Sequence, residues 1–533
     1  MNIATILLEQ AALRPDAPAI VDRVRGHIHG RDRVTTFAEL ATASARGANL
    51  LQKLGLCAGD AALIFQPMSA ELYVALLALF RLGMTAMFID PASGRKQIDR
   101  CLAIHPPKAL IAAGKAHLLR LASPGLRRIP VKLLFGRYVP GATAWSRADG
   151  LNPLPGPSEC TPDTPALMTF TSGSTGQPKA AVRSHGFLLQ QHRVLSRTLD
   201  HQAESRDLTT LPVFVLANLA SGITSLIPAA DLRFPGSINP RPVLAQIDRW
   251  QPTTSAASPA FFNRICDGCD AALRTLAGFE RIFTGGAPVF PDQLDRFGRF
   301  FPGADIVTVY GSTEAEPIAH IARRELTDLD RQAMTNGKGL LVGKPVQEIQ
   351  AKVISASWGR PLAAMNTAAF NRICLEPGQA GEIVVSGGHV LAGYLNGVGD
   401  GETKFRVDGT VWHRTGDCGT WDDKGRLWLL GRAGAVIDDA RGALHPFSVE
   451  CAARCDPQVA VAALIGRRGR RVLLVQSKGK RRIDTQRLAT LLAWAGLDEV
   501  RQIRRIPLDR RHNAKVDYTK IGKVCQFDSI RRE

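Results

Sequence analysis

A chain of 533 residues, 45% hydrophobic and 22% charged, is long enough for two or more domains with large cores and has the composition of a globular enzyme. No apolar run is long and charge-free enough to span a bilayer; the best, residues 72–82, is short and holds Arg81. A net charge of +19 leaves nucleic acid, an anionic membrane surface or anionic substrates as partners, and ten scattered cysteines without a disulfide framework point to a reducing cytoplasm.

The first residues lack a basic n-region and a cleavage site, so no signal peptide is expected. Buried strands are predicted at 61–65, 85–90, 109–113 and 131–135, with a helix over 69–83 ended by Gly83. This alternation is the pattern of α/β layering. A Pro/Gly-rich linker follows over 139–164. The apolar run 166–170 then breaks into Thr171, Ser172, Gly173, Ser174, Thr175, Gly176, Gln177, Pro178 and Lys179. Small residues let backbone amides and hydroxyls approach anionic oxygens, and the Lys adds charge, so the loop suits phosphate. It is not the Walker pattern, because the spacing before Lys differs and no Ser or Thr follows it. The apolar stretch 211–228 suits either a hydrophobic acyl chain or the protein's own core.

Cys266 and Cys269 form the one CxxC; with no second pair and no nearby His pair, zinc or redox use is not expected. Next comes Thr284, Gly285, Gly286, Ala287 and Pro288, where a glycine pair lets a flat ring lie on bare backbone. In 307–314, Tyr310 offers a stacking face, Thr313 a hydroxyl and Glu314 a hard oxygen ligand, with Gly311 and Ser312 between. Strands are expected at 381–386 and 425–430. Between them, in a Thr-Gly-Asp turn, Asp417 is placed to accept from ribose hydroxyls, and Arg432 adds a fixed cation. The chain then turns basic, at 466–471 and 478–482, around a strand at 472–476. No aromatics interleave with these charges, so base stacking is unsupported and nucleic acid is not expected. A solvated basic face is the first expectation and peripheral membrane contact the second. A polar turn at 510–515 presents Lys515.

In this order the pieces resemble the adenylate-forming superfamily of acyl-CoA synthetases, peptide-synthetase adenylation domains and luciferases, over about residues 10 to 525. The resemblance implies an α/β fold: a large multi-sheet N-terminal domain, 1–431, and a small mobile α+β C-terminal lid, 432–533. It implies ATP and Mg²⁺ as cofactors. Residues 171–179 would grip the triphosphate. Gly285 to Pro288 and Tyr310 would hold adenine, with Gly311, Ser312 and Thr313 beside it. Thr175 and Glu314 would sit at Mg²⁺, Asp417 and Arg432 at ribose, and Lys515 would bridge the carboxylate and the α-phosphate. Catalysis would then fall to Lys515, Glu314 and Thr175.

The sequence departs from ordinary ligases of that family in two places. The His common at the acyl end is Val215. In the hinge region, Ala435, Asp438 and Arg441 replace the usual acid, Lys and Gly. An Arg where Gly allows close approach would crowd a pantetheine tunnel. These departures are similar to those of the β-lactone synthetases of bacterial long-chain olefin biosynthesis. That likeness implies a long-chain β-hydroxy acid closed to a β-lactone, with other enzymes of a lipid or olefin pathway as partners. The alternative is a fatty acyl-CoA ligase or an acyl-AMP ligase that loads a carrier protein. For the base that takes the hydroxyl proton, the sequence offers His185 and His413.

Overall fold

The computed structural model describes residues 2–23, 32–172, 177–355, 358–479, 482–509 and 515–521. The chain forms two compact units. One comprises residues 1–229, 249–252 and 391–401; the other comprises 230–248, 253–390 and 402–533.

The first unit holds two sheets. In one, the strands run Thr143–Ala144, Val131–Phe135, Ala109–Ala113, Ala61–Phe65, Thr85–Phe88, Pro165–Ser172 and Pro178–Ser184. All neighbours are parallel except the last pair. Ala61–Phe65 is buried at every position, as a strand covered on both faces requires. Helix Ala70–Arg81 is apolar except for Glu71 and Arg81 and is buried along almost its whole length. Its one buried cation, Arg81, donates from Nε to Ser44 Oγ at 3.2 Å and from Nη2 to the Ala41 carbonyl at 3.3 Å. The second sheet orders Arg206–Thr209, Thr224–Leu226, Pro18–Arg23 and Asp32–Thr36.

The second unit is built on a longer sheet. Its strands run Ile349–Ile354, Gly381–Gly387, Thr410–Trp421, Leu427–Arg432, Leu340–Pro345, Ala315–Ala322, Asp305–Ser312, Arg281–Gly285 and Thr254–Ala257. The last three are parallel to one another and the others antiparallel. Towards the C-terminus, Val459–Arg467, Arg470–Ser477 and Glu499–Gln502 form a separate small sheet. Helices Pro446–Arg454 and Thr485–Leu491 contribute to the core on one face of it, which includes Val449, Leu464, Leu473 and Leu488. Ala463, Leu474, Ile506 and Ile521 form the core on the other. The architecture is α/β, with several sheets in the larger part and a small α+β segment at the C-terminus.

The predicted strands and the helix at 69–83 are present, the helix trimmed to Ala70–Arg81. The Thr-Gly-Asp turn is a correction. Residues 415–417 lie inside the twelve-residue strand Thr410–Trp421. Gly416 takes φ 71° there, and its missing side chain leaves room for the Trp358 ring, 2.9 Å from where a Cβ would sit. The basic stretches near the C-terminus are largely exposed, Arg468, Arg470, Lys478 and Arg482 among them, whereas Arg471 is buried. Arg471 pairs with Asp439 at 2.7 Å, Lys478 with Asp292 at 3.5 Å and Arg470 with Glu499 at 3.8 Å.

Candidate active site

In the first unit, Thr171 stands opposite Lys179 and Ser172 opposite Pro178 on two antiparallel strands. Gly173, Ser174, Thr175 and Gly176 lie outside the described residues, as do the side chains of Thr171 and Ser172. Lys179 is buried, its ammonium 5.8 Å from the centre of the Tyr394 ring. Its stem passes Gly399 (φ 98°) so closely that a Cβ there would lie 2.4 Å from Lys179 Cδ. Tyr394 is held in turn: Ala181 bridges to it, and Asp400 Oδ1 accepts from its amide at 2.8 Å. The sequence reading missed Tyr394 and Gly399, which lie more than two hundred residues along the chain from the lysine they surround.

In the second unit, three predicted residues meet. Tyr310 ends the regular part of Asp305–Ser312, before an irregularity opposite Ala315–Ala322. Asp417 and Arg432 face each other across neighbouring strands. The Tyr310 hydroxyl donates to Asp417 Oδ2 at 2.9 Å, and Arg432 Nη1 lies 3.3 Å from Asp417 Oδ1. Burial, then the Asp417 charge, pushes the phenol well above its usual range, so it stays protonated and donates. Asp417, with help from Tyr310 and Glu314, also raises the Arg432 guanidinium. Thr415 completes the cluster: its Oγ1 accepts from the Asp417 amide at 3.1 Å and its carbonyl from Arg432 Nη1 at 3.1 Å. The result is a carboxylate fixed from two sides at the end of the sheet, fit to receive hydroxyl donors.

The glycine motif has a role inside the sheet. A Cβ on Gly285 would lie 2.6 Å from the Val309 carbonyl oxygen, so this glycine lets two strands close up. Gly286 takes φ 74°, and Ala287 and Pro288 beyond it are half-buried. The Thr284 hydroxyl beside them is buried with no hydrogen-bond partner among the described residues. Gly311 lets the Ala315 carbonyl oxygen approach, 3.0 Å from where a Cβ would sit. Ser312 Oγ accepts from the Glu314 amide at 3.2 Å, which closes a turn through Thr313.

The half-buried Glu314 carboxylate acts electrostatically on both Arg432 and His413. His413 is buried, and its Nδ1 donates to the Thr403 carbonyl at 3.1 Å, leaving Nε2 with the lone pair. Burial and then Lys404 push its pKa down to about 3, so the ring is neutral at working pH. His185, in the first unit, is a core residue. It is fully buried, its Nδ1 accepts from the Ile3 amide at 3.1 Å, and burial lowers it to about 4.

Lys515 is held through its main chain in the C-terminal segment. Leu508 bridges to Val516, the Asp509 amide donates to the Lys515 carbonyl at 2.8 Å, and Asp509 Oδ1 accepts from the Lys515 amide at 2.9 Å. Residues 510–514 lie outside the described residues. Just beyond, the Tyr518 hydroxyl donates to the buried Glu450 at 2.5 Å. Asp509, Glu450 and Tyr518 carry no local signal that ties them to the lysine.

Arg441 is fastened within its own segment. It pairs with Asp498 at 2.9 Å and Asp439 at 3.1 Å, and donates to the Gly496 carbonyl at 2.9 Å. In the first unit, 211–228 folds as helix Pro212–Ala220 and strand Thr224–Leu226, with Phe214, Val215 and Leu219 buried. Asn218 ties that helix to Asp207 at 2.8 Å and Ser225 at 3.2 Å. Cys266 and Cys269 are buried in helix Pro259–Ala271, and burial pushes their thiols up to about 12 and about 11.

A profile of the AMP-binding enzyme family matches residues 7–395. The chain is similar to an olefin beta-lactone synthetase of Xanthomonas campestris, 31% identical over 98% of this chain and 97% of the relative. It is also 31% identical to an olefin beta-lactone synthetase of Stenotrophomonas maltophilia over the same shares of the two chains, 98% and 97%. Among solved structures, the amide bond synthetase McbA of Marinactinospora thermotolerans has a like fold. It gives a TM-score of 0.79 at 20% identity, over 98% of this chain and 99% of that one.

Proposed function

Because the chain belongs to the AMP-binding enzyme family, and is thus an adenylate-forming enzyme, we propose that it activates a long-chain β-hydroxy acid with ATP and closes it to a β-lactone. Two observations support ring closure over thioester formation. The likeness to two olefin beta-lactone synthetases runs nearly end to end, C-terminal segment included. The observation that carries the choice is Arg441, a long side chain braced by Asp439 and Asp498 where the ligases carry Gly.

A carboxylate is a poor electrophile because its leaving group would be oxide. One of its oxygens attacks the α-phosphorus of ATP and pyrophosphate leaves. The β-hydroxyl then attacks the activated carbonyl carbon, its proton is released, the four-membered ring closes and AMP departs. The second attack is intramolecular, which supplies much of its rate. Asp417, steadied by Tyr310 and Arg432, takes the ribose hydroxyls, and the strand ends from Gly285 to Pro288 and from Tyr310 to Thr313 take adenine. Residues 171–176 and Lys179 take the triphosphate. Lys515 offsets charge that builds on the carboxylate and α-phosphate. The half-buried Glu314 fits Mg²⁺, which takes one or two carboxylates and otherwise phosphate oxygens and water, and Thr175 would join it. When bound, the ion neutralises phosphate charge. Residues 432–533 would serve as a lid that closes over the reaction and excludes water.

The test is incubation with ATP, Mg²⁺ and a long-chain β-hydroxy acid, without CoA. A neutral product lighter by one water, with lactone ring protons in NMR, is expected. Acyl-adenylate that becomes a thioester only when CoA or a carrier protein is added would overturn ring closure and leave adenylation standing.

A further inference from the structure

Residues 100–148, all in the first unit, contain nine Lys and Arg and not one Asp or Glu. All of these but Lys108, which pairs with Asp60, make no ion pair among the described residues; Lys115, Arg120, Arg127, Arg128, Lys132 and Arg137 are among them. The basic stretches near the C-terminus differ, for Arg470, Arg471 and Lys478 there have acidic partners. Burial lowers His117 and Lys132, and the cations crowd one another enough to add to it: Arg120 and Lys132 act on His117, and Arg120 on Lys132.

The same stretch exposes large apolar side chains. Leu118 is 64% exposed, Leu121 77% and Tyr138 84%. The short helical run 114–122 is two-faced. Its inner face buries His117, whose Nε2 donates to the Leu133 carbonyl at 3.1 Å, and packs Leu119 on the core. Its outer face carries Leu118 and Leu121. Arg120 joins this face to the turn that bears Tyr138, by donating from Nη1 to the Pro140 carbonyl at 3.3 Å. Charge without counterions favours an anionic partner, and exposed leucines gain from burial in acyl chains but gain little on a nucleic acid.

We propose that this face docks on an anionic lipid surface, with Leu118, Leu121 and Tyr138 dipping below the headgroups and the surrounding arginines and lysines lying on them. The inference stands apart from the identity of the acid that the enzyme activates.

The experiment is co-sedimentation of the full chain with vesicles of phosphatidylcholine alone, or with roughly 30% phosphatidylserine, at about 0.1 M and 0.5 M salt. Binding is expected only to the anionic vesicles, and it should fall with salt. Arg127→Glu with Arg128→Glu should weaken it about 25-fold or more, at about fivefold per cation. Leu121→Asp with Tyr138→Asp should abolish it at low salt, with circular dichroism and pyrophosphate exchange unchanged as the check on folding. Absence of binding by the wild type, or binding that neither pair alters, overturns the proposal. So would a wild-type dimer that Leu121→Asp dissolves, which would make the face a contact between copies, or RNA binding that the Leu and Tyr changes leave intact. If the Leu/Tyr variant does not fold, the arginine pair still decides.

Discussion

The strand-borne cluster of Tyr310, Asp417 and Arg432 and the Lys515 of the C-terminal segment are held in different ways. In the first, side chain fixes side chain: phenol and guanidinium meet one carboxylate at 2.9 and 3.3 Å, on strands of a broad sheet. In the second, main chain is fixed: Asp509 donates to the Lys515 carbonyl and accepts from its amide. The segment around Lys515 has its own cores. A segment cored in that way can carry a lysine as one body, which is what a lid over 432–533 requires. Under the proposed function, recognition lies in the sheet and the acting cation in a C-terminal segment that has cores of its own.

The largest effect expected is on Lys515. Lys515→Ala should lower ATP–pyrophosphate exchange by about 10² to 10³, the loss seen when one preorganised donor to a transition-state charge is removed. ATP affinity, which the proposed function assigns to the strand cluster, should stay within about twofold. Exchange at a near wild-type rate would remove Lys515 from the chemistry and dissolve the contrast.

The anchor of the segment around Lys515 should respond to pH where the strand cluster does not. Glu450 is buried, accepts from Tyr518 and from the Leu464 amide at 2.9 Å, and burial raises its pKa to about 7 from 4.5. A raised folded-state value means that the native state holds the proton longer. The stability linked to it is full below the unfolded value and is lost as pH rises through 7, by up to about 3 kcal/mol. Amide exchange in Val459–Arg467 and Arg470–Ser477 should therefore quicken from pH 5 to 8 beyond the chemical trend, and Glu450→Gln should flatten that change. A flat wild-type profile would sink the idea. Tyr310, shifted upward, keeps its proton across the same window, so protection in Thr410–Trp421 should not follow it.

Much of the fold was legible in the sequence because parallel strands buried on both faces read as unbroken apolar runs. Ala61–Phe65 and Ala109–Ala113 are such runs, and both form; Val131–Phe135 forms as well, although Lys132 interrupts its apolar run and only Leu133 and Leu134 are buried. The residue types of the site were legible for the same local reason: Gly285, Tyr310, Glu314, Asp417 and Lys515 stand in short, distinctive strings. Their partners were not. The Tyr310–Asp417 bond joins residues 107 apart in sequence. Glu450 and Tyr518 are 68 apart. Lys179 meets Tyr394 and Gly399 by tertiary packing alone. Asp417 read as a turn because Gly and Thr dominate its neighbours. Strand pairing with Gly381–Gly387 and Leu427–Arg432 overrides that local preference. The C-terminal basic run is largely exposed, as read, but its acidic partners Asp439 and Asp292 lie far off in sequence and were not legible.

Within the strand cluster the carboxylate should matter more than the phenol. Asp417→Asn keeps the shape but removes the charge that faces Arg432, and ATP should bind about 10- to 100-fold more weakly, as for loss of a charged hydrogen bond. Tyr310→Phe removes one donor to Asp417 and leaves the ring. A loss of about tenfold or less is expected, unchanged from pH 6 to 9. Calorimetric titration with a non-hydrolysable ATP analogue checks both. Equal losses would mean that ring position, not the carboxylate, organises the nucleoside.

The smallest effect on adenylation is expected at Arg441, which belongs to neither region's chemistry. Its guanidinium is exposed and shared by Asp439 and Asp498, and Asp439 keeps a second partner in Arg471. Exposed pairs of this kind add little to stability, so Arg441→Gly should shift the melting temperature by about 2 °C or less. Pyrophosphate exchange should be unchanged, because Lys515 and the strand cluster keep their holders. What should change is the fate of the acyl-adenylate. If the braced arginine blocks the approach of a thiol, its removal should let some CoA thioester appear beside the lactone, and chromatography of the products would detect it. No thioester, with exchange intact, would confine Arg441 to bracing the turn before Gly442. The preference for ring closure would then have to lie in the acyl site rather than in the hinge.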